Sequence, residues 1–226
     1  MLPALHVEYS LRGEIMSFMI PAEAVQLEAN LREPENPPRG AVVVCHPHPV
    51  YGGTMDNRVV YRAAKAAVSA GFAALRFNFR GVGRSTGQFD QGIGEKEDVV
   101  AAIRWIEKKY PALPLALIGY SFGAWVGLQI GCTEPCVMAL VGLALPLDIY
   151  DLEFLAGNPK PSLYIVGTRD EFCSREHLAR LKPRLPVTSS LHLLEGADHF
   201  FSEQTEGVER LIFDFFNKLS PDQHRS

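Results

Sequence analysis

Short apolar runs alternate with longer amphipathic stretches along most of this chain. Residues 41–46, AVVVCH, form a continuous apolar run, the pattern of a strand buried on both faces. Residues 72–78, 114–120, 137–145, 162–167 and 190–195 read as further strands. Helices are expected at 56–70, 94–109, 122–131, 174–182 and 202–218. The second helix puts Val99, Val100, Ile103 and Ile106 on one face and acidic residues in its first turn. The last carries an apolar stripe of Val208, Leu211, Ile212, Phe215 and Phe216. Thr54 or Asp56 is the candidate cap of the first helix, and Gly71 its stop.

Two more strands are expected at 14–20 and 24–31, as a hairpin-like pair on a sheet edge. The segment 32–40, REPENPPRG, is dense in Pro and charge and reads as a surface loop. Residues 220–226 are expected to fray. Strands separated by helices imply right-handed crossovers and a mostly parallel, twisted α/β sheet with helices on both faces. One domain over 1–226 is the expected organisation, with 1–40 supplying edge strands and a loop. Ligands of such sheets sit at the carboxyl ends of the strands. Candidate chemistry therefore belongs in the segments that follow each strand.

Composition narrows the classes. Of 226 residues, 47% are apolar and 21% charged, the balance of a folded globular protein. The net charge of −4 offers no basic surface for nucleic acid or anionic lipid. No apolar window is long enough to span a membrane, and the first residues lack the basic start and apolar core of a signal peptide. Cys45, Cys132, Cys136 and Cys173 do not have zinc-site spacing. They are expected to be free thiols of a cytoplasmic protein.

The sharpest motif is Gly119-Tyr120-Ser121-Phe122-Gly123, between an apolar strand and a helix. A G-x-S-x-G turn in that context is a nucleophile elbow, with glycines where a Cβ would clash. A serine hydroxyl needs a base, and the chain order for this elbow is Ser, acid, His. Asp170 follows the strand at 162–167, and His199 follows the strand at 190–195. His199 can then reach Ser121 through Nε2 while Asp170 holds Nδ1–H. Glu171 and Asp148 are the other carboxylates placed to orient the imidazole. Asp198 is read as a loop-shaping hydrogen-bonder.

These features, over nearly the whole chain, resemble the α/β-hydrolase superfamily. The run His46-Pro47-His48-Pro49-Val50-Tyr51-Gly52-Gly53-Thr54-Met55-Asp56-Asn57 resembles a subgroup of small, lidless bacterial hydrolases related to dienelactone hydrolases. Unlike dienelactone hydrolases, this chain has Ser rather than Cys at the elbow. The resemblance implies an oxyanion hole built from the backbone N–H of Phe122 and one N–H of the loop after strand 41–46. Pro47 and Pro49 have no N–H, so His48 is the candidate donor, with Val50 or Tyr51 behind it. It also implies hydrolysis of small, short-chain carboxylic esters through an acyl-enzyme, with no cofactor and no metal. A thioesterase, a small-peptide hydrolase and a silent binding scaffold are the alternatives.

The remaining motifs read as structural. His46 and His48, with no third ligand nearby, do not make a zinc site. The loop Gly81–Gly87 lacks the spacing of a phosphate loop and is similar to the R-G-x-G-x-S loop of the superfamily, with Arg80 as its tether. Phe200, Phe201, Phe213, Phe215 and Phe216 are read as core. Tyr51 is the candidate substrate-pocket wall. Only residues 146–161 separate two strands where relatives insert a cap, too few for a cap domain. An open site that favours short acyl groups is expected.

Overall fold

The computed structural model describes residues 17–219. The tail at 220–226 and the first three residues of the strand expected at 14–20 lie outside them. Eight strands build one sheet: β1 (Phe18–Ala22), β2 (Val25–Arg32), β3 (Gly40–Cys45), β4 (Phe72–Phe77), β5 (Leu115–Tyr120), β6 (Val137–Leu143), β7 (Ser162–Gly167) and β8 (Ser189–Leu194). Their order across the sheet is β1-β2-β4-β3-β5-β6-β7-β8. β1 and β2 pair antiparallel, as the hairpin pattern predicts, and β2 pairs antiparallel with β4. From β4 to β8 every pairing is parallel.

Five helices cover the two faces: α1 (Arg58–Ser69), α2 (Gly94–Lys109), α3 (Phe122–Thr133), α4 (Arg175–Leu181) and α5 (Thr205–Lys218). β3 shows why an unbroken apolar run is required. Ala41, Val43 and Cys45 join the core beneath α2 and α3, while Val42 and Val44 join the core beneath α1 and α5. No cap domain interrupts the sheet. The segment between β6 and β7 holds only a short 3-10 turn at Glu153–Gly157. No helix among the described residues is long and apolar enough to cross a membrane.

One cap differs from expectation. α1 is capped by Asn57, whose Oδ1 accepts the Val59 N–H at 2.9 Å. Thr54 lies outside the helix, and the Asp56 carboxylate is taken by the buried Arg76 guanidinium at 3.1 Å. All four cysteines are free. Burial pushes the Cys132 thiol up to about 11 and the Cys173 thiol up to about 12.

Candidate active site

Central β5 ends in the elbow. Ser121 sits at φ 54° and ψ −119°, between the last strand residue and the first helical one. That left-handed backbone is strained by about 1–3 kcal/mol for a residue with a Cβ. Close packing holds it. A Cβ on Gly119 would lie 2.5 Å from the Gly123 carbonyl oxygen, and one on Gly123 would lie 2.4 Å from the His46 carbonyl oxygen. The start of α3 therefore rests directly on the end of β3. Phe122, as the first residue of α3, has no helical carbonyl for its N–H to bond.

Two further loops converge on Ser121. The segment after β7 and the segment after β8 are joined backbone to backbone: Arg169 N–H donates to Ala197 O at 2.9 Å, and Thr168 N–H to Leu194 O at 3.0 Å. Gly167 permits this, since its Cβ would lie 2.2 Å from Ala197 O. The result is a continuous chain of bonds. His199 Nε2 is 2.9 Å from Ser121 Oγ, and His199 Nδ1 is 2.9 Å from each oxygen of Asp170. A carboxylate on Nδ1 fixes the tautomer with Nδ1–H donating, leaving Nε2 to accept the serine hydroxyl. The side chains of His199 and Asp170 are 5% and 0% exposed. Asp170 Oδ1 also accepts the Phe172 N–H at 2.9 Å.

The rival carboxylates lie elsewhere. Glu171 is exposed. Asp148 pairs with His177 Nδ1 at 2.5 Å and accepts from Ser174. Asp198 shapes its loop, accepting from the Ser202 N–H at 2.9 Å and hydroxyl at 2.7 Å. Those bonds hold its carboxyl below the usual range.

The loop after β3 turns through a 3-10 segment, Pro49–Tyr51. Its N–H groups are largely spoken for. Val50 donates to His48 Nδ1 at 3.2 Å, Tyr51 and Gly53 to His48 O, and Gly52 to Pro49 O. His46 is wholly buried, with Nε2 accepting the Phe79 N–H at 3.0 Å and Nδ1 on Pro47 O at 2.6 Å. Both ring nitrogens are therefore engaged in shaping the loop. Burial outweighs the Pro47 bond and lowers its pKa to about 4. Among the described residues no cluster of His, Cys, Asp and Glu could hold a metal. Arg80, at the loop after β4, is bound in both directions by Asp98 and reaches Glu97 at 2.9 Å.

Ser121 opens into a cavity of about 460 Å³. Its lining includes Tyr51, Phe122, Ile149, Tyr150, Phe172 and Phe200, and it contains no Asp, Glu, Lys or Arg. Tyr51 stands at the mouth, 86% exposed. Phe200 is a correction: it is 56% exposed and packs edge-on against His199 at 5.6 Å, so it belongs to the cavity and not to the core. Phe201 and Phe216 are buried, whereas Phe213 is exposed. Tyr150 and Phe172 carry no sequence signal as site residues. Both sit on irregular segments, and only the fold aims them at the serine. Tyr150 is braced by stacking on Trp125 at 4.2 Å.

Comparisons with known proteins place the fold and the family. Residues 23–197 match the model of the X-Pro dipeptidyl-peptidase (S15) family. A Rickettsia prowazekii (strain Madrid E) protein, the uncharacterized protein RP471, is 35% identical over 208 residues, covering 88% of this chain and 87% of its own. An α/β serine hydrolase homologue from Coxiella burnetii is 32% identical with a TM-score of 0.83, over 92% of this chain and 99% of its own. XC6422 from Xanthomonas campestris, a serine hydrolase without a lid, is 27% identical with a TM-score of 0.83, over 95% and 100%. The match spans well over half of the chain, so the chain belongs to the X-Pro dipeptidyl-peptidase (S15) family of α/β-hydrolases.

Proposed function

We propose that this protein is a serine carboxylesterase for small, uncharged, short-chain esters, with Ser121 as nucleophile, His199 as base and Asp170 as its orienter. The observation that carries the reading is the bond chain Ser121–His199–Asp170, 2.9 Å at each link, at the floor of an apolar cavity. His199 Nε2 takes the hydroxyl proton as Oγ attacks the ester carbonyl, and Asp170 stabilises the imidazolium. The carbonyl π electrons move onto oxygen. As the tetrahedral intermediate collapses, the bond to the alcohol breaks and His199 returns the proton to it. Water then attacks the acyl-enzyme, again deprotonated by His199, and the acid leaves with Ser121 restored.

The developing oxyanion needs two donors placed in advance. The Phe122 N–H is one. In the loop after β3 the two prolines have none, and the N–H groups of Val50, Tyr51, Gly52 and Gly53 are already bonded. That elimination favours the His48 N–H as the second. Tyr51 is the wall at the mouth.

The lining also bears on substrate charge. A dipeptide with a free amino terminus brings an ammonium, and nothing in the cavity wall pairs with it. Burying an unpaired charge there would cost several kcal/mol, which favours neutral esters over such peptides. Without a lid, methylenes that reach beyond the cavity stay in water and gain none of the ~0.8 kcal/mol each that burial would bring. Short acyl groups follow. The test is fluorophosphonate labelling together with hydrolysis of a p-nitrophenyl ester series from acetate to palmitate. Labelling with a maximum at short chains supports the proposal. Rates that peak at long chains contradict the chain-length claim, and absence of both labelling and turnover contradicts the enzyme.

A further inference from the structure

The strap after β6, residues 146–152, forms one side of the cavity through Pro146, Ile149 and Tyr150. Between those wall residues lies Asp148, which is not part of the cavity lining. Its N–H donates to the Phe172 carbonyl at 3.1 Å. Its carboxylate accepts the Ser174 N–H at 3.0 Å on both oxygens, the Ser174 hydroxyl at 2.7 Å and His177 Nδ1 at 2.5 Å. Burial works against this charge, but the bonds from His177 and Ser174 outweigh it and hold the carboxyl below the usual range. Ser174 is also the cap of α4, accepting the His177 N–H through Oγ.

Phe172 is the relay. Its carbonyl takes the Asp148 N–H, its own N–H donates to Asp170 Oδ1 at 2.9 Å, and its ring lies 4.6 Å from that of His199. One residue on the strap is thus tied to the loop that carries the acid. Its chain neighbours Ile149 and Tyr150 line the cavity.

We propose that Asp148 is a positioning residue that clamps the cavity wall to the acid loop and thereby sets how large an acyl group the site accepts. The inference rests on the esterase reading above. Four bonds converge on one carboxylate, three of them from the α4 cap Ser174 and one from His177, so cutting them frees the strap at its middle. Tyr150 then keeps its stack on Trp125 but loses the anchor beside it in the strap, and bulky acyl groups gain access at the expense of small ones.

The test compares wild type with Asp148→Ala, Asp148→Asn and Ser174→Ala on p-nitrophenyl acetate and p-nitrophenyl benzoate. Thermal melting and fluorophosphonate labelling are followed in parallel. In Asp148→Ala the preference for acetate over benzoate should fall by about tenfold, the scale of a lost charge-assisted bond. The change should lie mainly in KM for acetate, with Ser121 still labelled. Asp148→Asn keeps Oδ1 and its three donors, and should recover most of the preference. Ser174→Ala should fall between. Should Asp148→Ala not fold, Ser174→Ala decides alone. An unchanged acetate-to-benzoate ratio in the folded variants, whatever the melting temperature, overturns the clamp and leaves the esterase reading standing. A wild type that neither labels nor turns over removes both.

Discussion

This molecule holds two clusters made of the same three residue types. Ser121, His199 and Asp170 form one, and Ser174 and His177, from the start of α4, form the other with Asp148 of the strap after β6. In the first, the histidine lies between the other two, with Nε2 on the serine and Nδ1 on the carboxylate. In the second, the carboxylate lies in the middle, and the serine hydroxyl and His177 Nδ1 both converge on Asp148 Oδ1. Ser174 Oγ also approaches that same Nδ1 at 3.2 Å, so no free imidazole nitrogen is directed at the serine. Exposure separates them too. The side chains of His177 and Asp148 are 42% and 29% exposed, against 5% and 0% for His199 and Asp170. Ser121 has strained backbone at the start of a long helix, whereas Ser174 is an ordinary extended cap of a short one. The order of the bonds, not the residue types, decides which serine can be activated.

That contrast can be broken most directly at the serines. Ser121→Ala should reduce ester turnover by about 10⁵–10⁶-fold, as loss of the nucleophile does in a working triad. Ser174→Ala should leave kcat on the acetate ester within about threefold, since it touches no reacting atom. Steady-state kinetics on the two variants reads both. The carboxylates come next. Asp170→Asn should cost about 10⁴-fold by favouring the wrong imidazole tautomer. Asp148→Asn should cost less than about tenfold, because its bonds need an acceptor rather than a charge. If the two carboxylate variants lost activity equally, the distinction between the clusters would fail.

A smaller effect is expected at the joint between the elbow and the loop after β3, where the oxyanion hole is proposed. Gly123→Ala puts a Cβ 2.4 Å from the His46 carbonyl oxygen and must wedge β3 from α3. Displacing the Phe122 and His48 N–H groups relative to each other should lower kcat by about 10²-fold, with KM less affected. The smallest effect is on stability. His46 is buried neutral with its pKa lowered to about 4, so the unfolded imidazole, at its ordinary 6.5, takes up a proton first. Its contribution is complete above pH 6.5 and is lost as pH falls toward 4. Between pH 6.5 and 5 that loss is about 2 kcal/mol. Urea unfolding at several pH values should show this slope in wild type and a shallower one in His46→Asn.

The sequence was most legible where backbone geometry dictates residue type. The unbroken apolar runs of β3 and β5 require two covered faces, and the glycines at 119 and 123 are forced by contacts under 3 Å. The chain order of Ser121, Asp170 and His199 follows from which strands feed the site. It was least legible where a side chain's direction is set by distant partners. Asp56 reads as a helix cap, yet Arg76 from β4 claims it and leaves Asn57 to cap α1. Phe200 reads as core by its company, yet the turn after His199 swings it to the cavity mouth. Asp148 is indistinguishable from a catalytic acid until Ser174 and His177 are seen beside it. Tyr150 and Phe172 lie in segments with no periodicity at all, so only the packed structure shows that they wall the site.

The most direct measurement is to treat the folded protein with a fluorophosphonate, digest it and locate the adduct by mass spectrometry. One adduct per chain on the peptide that contains Ser121, absent after His199→Ala, is the expected result. No adduct on folded wild type, or an adduct on Ser174, would contradict the assignment of the activated serine.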